Sequence, residues 1–187
     1  YDISMAELFT ALAEYYERGQ TDGAPVDLDA AAGLRDALEV GVLCTSATYE
    51  PDTDEATGDP MEVALLRAGA AVGLTRRATE EDKPRVDEEA FDTDVKMMAT
   101  VHEQADGPYR VAVKGAPEAV LAAATHEATA DGPQPLDDDA RARWVERNEQ
   151  MAADGLRILA LAQKTVDAPE APPYEGLTLL ALVGLYD

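Results

Sequence analysis

Beyond Phe91 the chain changes its hydrophobic period, and that change restricts the fold more than any other feature. Tyr109, Val111 and Val113 alternate with Arg110, Ala112 and Lys114, so two different faces of one extended strand are specified. A second strand is expected over Lys96 to Glu103, and Asp106-Gly107 between the two suits a hairpin turn. Two apolar strands close the chain, near Leu156 to Gln163 and Leu177 to Leu185. Before Phe91 the spacing is helical. Ser4 and Glu7 form a capping box for a first helix that Gly19 stops, and a second helix runs from about Asp29 to Val42. Asp59-Pro60 opens a third, which Gly69 or Gly73 ends, with Glu62 at the positive end of its dipole. Pro117 starts a short helix to about Ala124, and a longer one covers Asp138 to Ala153 with Trp144 and Met151 inward. Thr45 to Gly58 and Thr125 to Leu136 read as turn and loop, and Thr79 to Glu89 as a charged, exposed stretch. Hairpin-linked strands mixed with helices predict an α+β fold, mainly an antiparallel β-sheet flanked by helices, with residues 1–187 forming one domain.

Only 5% of the residues are aromatic although 46% are apolar, so the core has to be built from Ala, Val and Leu. Thirty-eight acidic residues against fifteen basic ones give a net charge of −23. Such a balance suggests disorder first, but the apolar residues are periodic along the whole chain, so a halophilic source is the expectation instead. The charge argues against nucleic acid and against anionic membrane surfaces as partners. Cys44 is the only cysteine, which excludes an internal disulfide and fits a cytoplasmic setting. No secretory signal is read at Tyr1, and the apolar run Leu177 to Tyr186 is too short to span a bilayer. His102, His126 and Cys44 do not make a metal site, and no nucleophile-elbow or Walker lysine loop is present.

Four segments could carry chemistry, and each has an ordinary structural explanation when taken alone. Gly58-Asp59-Pro60-Met61-Glu62 is a good helix start. Phe91, set among Asp92, Thr93 and Asp94, could be the last buried residue of a strand. Lys114-Gly115-Ala116-Pro117-Glu118 could be a strand-to-helix turn, and Gly155-Leu156-Arg157-Ile158-Leu159-Ala160 a helix stop feeding a buried strand.

Taken together and in this order, the four segments and Lys96-Met97-Met98 resemble the nucleotide-binding domain of P-type cation-transporting ATPases, in the P2-like branch that contains calcium pumps. The resemblance covers about Ala37 to Asp187, and KGAPE is its most specific part. It implies that Phe91 stacks on adenine and that Glu62 lies near the adenine amino group. It makes Lys96 and Lys114 pocket lysines, Gly115 the glycine that admits the base, Met98 a pocket wall, and Arg157 the polyphosphate contact. These roles suit the chemistry: aromatic stacking is worth roughly 1–3 kcal/mol per base, and a guanidinium matches phosphate in a bidentate way. Met61 and Thr93 depart from the family pattern, which often has Thr after the DP pair and a basic residue two positions beyond the Phe. Binding on the order of millimolar is therefore expected, or about −4 kcal/mol.

The phosphorylated DKTGT and the GDGxND hinge of the family do not occur in the chain. The resemblance thus implies an ATP-binding module, taking MgATP, without a catalytic residue of its own. It would sit on the cytoplasmic side of an integral plasma-membrane pump, next to that pump's phosphorylation and actuator domains. Two other readings stay open: a haloacid dehalogenase-like phosphatase built on Asp92-Thr93-Asp94-Val95, and an acidic halophilic interaction domain without nucleotide binding.

Overall fold

The alternation that predicts a hairpin is realised as the middle of a seven-stranded sheet. A computed structural model describes residues 32–105 and 107–185. Among these, α1 is Ala32–Leu43, β1 Thr48–Glu50, β2 Glu55–Thr57, α2 Pro60–Ala71 and α3 Arg76–Asp82. They are followed by β3 Arg85–Asp92, β4 Met97–Gln104, β5 Gly107–Gly115 and α4 Pro117–Ala123. Then come β6 Ala124–Thr129, β7 Gly132–Pro135, α5 Asp138–Ala153, β8 Arg157–Val166 and β9 Leu177–Leu185. The large sheet runs β3-β4-β5-β8-β9-β6-β7, and β1 pairs with β2 in a separate hairpin. Every pairing is antiparallel except β6 with β9. The chain is therefore α+β, with a mainly antiparallel sheet, as expected.

Period-two alternation divides the core into two layers, one on each side of the sheet. Met98, Ala112 and Leu161 face one way, into Leu34 and Leu38 of α1 and Leu65 of α2. Met97, Val111, Val113 and Ala162 face the other way, into Val120 and Leu121 of α4 and Trp144 and Met151 of α5. The side chains are mostly Ala, Val, Leu and Met, which the scarcity of aromatic residues requires.

Helix starts follow the sequence closely. Asp59 accepts a bond from the Met61 amide at 2.9 Å with Pro60 next in line. Asp137 accepts from the Ala140 amide at 2.7 Å, so the Asp137-Asp138-Asp139 run is a cap with two acids on the dipole. The expected first helix, Ser4 to Gly19, lies outside the described residues.

Three stretches read as irregular turn out to hold strands. The β1–β2 hairpin occupies the polar stretch 45–58. β6 and β7 occupy 124–135, where two prolines in β7 are tolerated because it is the outermost strand. The charged run 79–89 is divided between the end of α3 and the start of β3, and the exposure of β3 is as expected because it is the other edge of the sheet. Edge and half-solvated strands need no apolar alternation, so hydrophobic spacing could not reveal them.

The helix-α1 side of the sheet also buries an ionic layer. Glu39 of α1 accepts from Lys83 at 2.5 Å and pairs with Arg110 of β5. His102 beside them is fully buried. Its Nδ1 lies 3.0 Å from the Lys83 carbonyl, which can only accept, so Nδ1 carries the proton. Its Nε2 lies 2.9 Å from the Thr100 hydroxyl. Burial, reinforced by Arg85 and Arg110, lowers the His102 pKa to about 4.

The unfolded chain therefore binds a proton at His102 below about pH 6.5 that the folded chain refuses until about pH 4. Stability is full above the unfolded value and is lost as pH falls through that window, by roughly 3 kcal/mol. In urea titrations in molar KCl, His102→Gln is expected to flatten the pH dependence between about pH 7 and about pH 4.5 relative to the parent chain. Parallel pH profiles for the two proteins would show that His102 is not the group responsible.

Candidate functional site

Antiparallel order brings the motif residues to one end of the sheet, the edge formed by the termini of four adjacent strands. Asp92 pairs with Met97, Met97 with Gly115, and Gly115 with Ala160. The end of β3, the start of β4, the end of β5 and the start of β8 therefore lie side by side. Phe91, Lys96, Lys114-Gly115 and Arg157 come from those four strand ends. The N-terminus of α2 docks at the same edge, since the Arg157 guanidinium lies 3.9 Å from the Met61 sulfur.

The best-fixed part of this edge is the pair Glu62–Lys114. Lys114 is 5% exposed, and its ammonium donates to one oxygen of Glu62 and, at 2.6 Å, to the Cys44 carbonyl. The other Glu62 oxygen accepts from the Ser46 and Ala47 amides at 3.1 and 2.8 Å. Burial works to raise the Glu62 pKa, but the bonds from Lys114 and the amides outweigh it and hold the carboxyl below its ordinary value. The carboxylate is thus ionised, and the ammonium beside it is already neutralised. Cys44, Ser46 and Ala47 take part through backbone groups, so no side-chain signal in the sequence could announce them.

Phe91 is 56% exposed at the end of the edge strand, so it is not the buried strand terminus that the sequence also allowed. The turn beyond it is closed by Asp92, whose carboxylate accepts from the Asp94 and Val95 amides at 2.6 and 3.3 Å. Asp92 carbonyl also accepts from the Lys96 amide at 2.6 Å. Lys96 takes a left-handed backbone, φ 59°, and its ammonium reaches Glu118 of the KGAPE segment at 3.0 Å. That bond holds the Glu118 carboxyl below its usual value. Both partners of this pair are more than half exposed, so it contributes at most about 1 kcal/mol and can be exchanged for another anion.

Arg157 is exposed at the first position of β8. Met98 is 1% exposed and packs among α1 and α2, so it underlies this edge as core rather than presenting a surface. Gly115 is required by the chain itself. A Cβ there would lie 2.4 Å from the Lys96 carbonyl and 2.7 Å from the Met97 Cγ. An open groove of about 480 Å³ bounded by Tyr49, Arg76 and Glu80 shares no residue with this edge. Among the described residues no group of three or more His, Cys, Asp or Glu side chains is placed to hold a metal.

A family model described as the cytoplasmic domain N of P-type ATPases matches residues 33–187. The chain is 34% identical to the cation-transporting ATPase pma1 of Synechocystis, over 97% of its own length and 20% of that protein. It is 33% identical to calcium-transporting ATPase 1 of Bacillus cereus, over 80% of its length and 17% of the relative's. With calcium-transporting ATPase 1 of Yarrowia lipolytica the identity is 30%, over the full chain and 21% of the relative. The chain thus spans about a fifth of the length of the curated relatives it matches.

Gly115→Ala is expected to cost roughly 1–3 kcal/mol, because the atoms it would strike are backbone and a packed side chain. Gly41→Ala, whose new methyl would meet the flexible end of Leu65 at 3.3 Å, should cost less. Urea unfolding of both variants checks this, and equal losses would contradict it.

Proposed function

Because the chain belongs to the cytoplasmic domain N family of P-type ATPases, we propose that it holds MgATP for a cation pump of which it forms one domain. Its role is to present the nucleotide so that the γ-phosphate reaches an aspartate on a neighbouring phosphorylation domain. Such a module contributes by positioning and not by bond-making. The observation that carries this reading is the exposed Phe91 at an edge where Lys96, Arg157 and the Glu62–Lys114 pair also meet.

The chemistry divides naturally along that edge. The phenyl ring offers a stacking face for the base. Glu62 is ionised, and the oxygen bonded to Lys114 keeps a second lone pair for an exocyclic amine. Lys96 is held only by a weak exposed pair with Glu118, and Arg157 lies exposed three strands from Phe91. Both cations can therefore turn to a polyphosphate, with Mg²⁺ arriving on the phosphates. Gly115 and Met98 support the site by fixing the β4–β5 contact and the layer beneath it.

Within this reading the domain works on the cytoplasmic side of a membrane protein, beside the actuator and phosphorylation domains. No helix among the described residues is long and apolar enough to cross a membrane. The relatives are named for calcium and for other cations, so the transported ion is set by parts of the pump other than this domain. The −23 charge fits a protein that works in concentrated salt.

Titration of MgATP into the chain in molar KCl, followed by NMR, tests the site. Phe91→Ala should weaken binding by about 5- to 150-fold, the equivalent of losing one stacked base. Affinity for the parent chain should first rise with salt, as screening relieves repulsion between the acidic domain and the triphosphate. Unchanged binding in Phe91→Ala, with the fold intact, would remove the stacking site.

A further inference from the structure

Residues 43–47, the exit from α1, are held from two sides by cations that lie in different parts of the fold. Arg85, at the start of β3, donates through Nη2 to the Leu43 carbonyl at 2.8 Å and to the Thr45 carbonyl at 3.0 Å. The carbonyl between them, that of Cys44, accepts instead from Lys114. Next along the chain, the Ser46 and Ala47 amides donate to Glu62. The Ala47 carbonyl accepts from Arg76 at 2.5 Å. Arg76 and Arg85 are in turn joined by one carboxylate oxygen, that of Glu80, at 3.2 and 2.9 Å.

Leu43 ends α1, and the Thr45 amide bonds back to the Leu43 carbonyl at 3.1 Å, so carbonyls 43, 44 and 45 belong to one tight turn and 43 and 45 cannot shift without moving 44. A displacement on the Arg85 side must therefore pull the Cys44 carbonyl from Lys114 and the two amides from Glu62. We infer that Arg85 is a positioning residue for the nucleotide site, setting the Glu62–Lys114 pair through residues 43–47. The inference rests on the nucleotide reading above and deepens it: a guanidinium bonded to none of the site side chains fixes the base-binding end.

Thr45 adds to the same device. It is fully buried, and its hydroxyl accepts from the Ala47 amide at 3.0 Å, the amide that also reaches Glu62. Arg85 also anchors outward, donating to Glu88 at 2.6 Å, so the clamp is part of the strand that carries Phe91. The stacking ring and the Glu62–Lys114 pair are thereby referred to one strand, Phe91 by its place in β3 and the pair through Arg85.

The test uses the 187-residue chain in molar KCl and titrates MgATP and adenosine separately by NMR. Arg85→Met should weaken both ligands equally, by about tenfold, the loss of one good bond to a charged group. It should also shift the Ser46 and Ala47 amide protons upfield, as their bonds to Glu62 lengthen. Arg85→Lys, which keeps the charge but cannot reach both carbonyls, should fall between. Lys83→Met removes a comparable ion pair, with Glu39, and should lower the melting temperature without changing either affinity. If Arg85→Met does not fold, Arg85→Lys carries the test.

Affinities within about twofold of the parent, or an equal loss in Lys83→Met, would reduce Arg85 to a purely structural role and overturn the inference. A larger loss for MgATP than for adenosine would assign Arg85 to the phosphates and overturn it as well. Failure of the parent chain to bind either ligand would instead strike the nucleotide reading itself, and this inference with it.

Discussion

The ion pair between Glu62 and Lys114 is the constraint to which the rest of the site is fitted. It joins the first turn of α2 to the end of β5 across the top of one core layer. A charge as buried as Lys114 is costly unless it is paired and hydrogen-bonded. Here the partners are the Cys44 carbonyl and the Ser46 and Ala47 amides, so the path from α1 to β1 is dictated by the pair. Removing either charge would leave the other buried and uncompensated, at a cost of about 3–5 kcal/mol.

The same economy governs the cations elsewhere. In a chain of −23 there are only four lysines, and all four are engaged within the protein. Lys83 holds Glu39, Lys96 holds Glu118, Lys114 holds Glu62, and Lys164 donates to the carbonyls of Pro172 and Glu175. They differ in how firmly they are held. Lys114 is sealed between two acceptors, whereas Lys96 sits at the surface in an exchangeable pair. Under the proposed function this division separates a permanent scaffold from a cation that can follow the ligand.

Much of the fold could be read from the chain because local chemistry and tertiary structure agree. Asp59-Pro60 and Asp137 start helices through backbone amides that need an acceptor, and Tyr109 to Val113 alternates because β5 is central and half its residues face each core layer. The edge strands β3 and β7 were hidden because they carry solvated charge or proline, and β6 because it is half-solvated, so none has an apolar pattern to show. At the site, the side chains were legible and the backbone was not. Phe91, Glu62 and Lys114 stood out as residue types, but nothing in the letters Cys44-Thr45-Ser46-Ala47 announces that their peptide groups complete the Glu62–Lys114 pair. Arg85 was equally silent, since its partners are carbonyls forty and more positions away. Gly115 was legible as a close approach, yet the group that needs the room is the Lys96 carbonyl of the chain itself.

A direct contact between a nucleotide base and the edge of the sheet is the claim on which the functional account stands. Nuclear Overhauser spectra of the chain with MgATP in molar KCl measure it without altering any residue. The account predicts cross-peaks from the adenine H2 and H8 protons to the Phe91 ring, accompanied by shifts of the Lys96 and Gly115 amides. Binding with cross-peaks to the Tyr49 ring in the Arg76 groove, and none to Phe91, would contradict it.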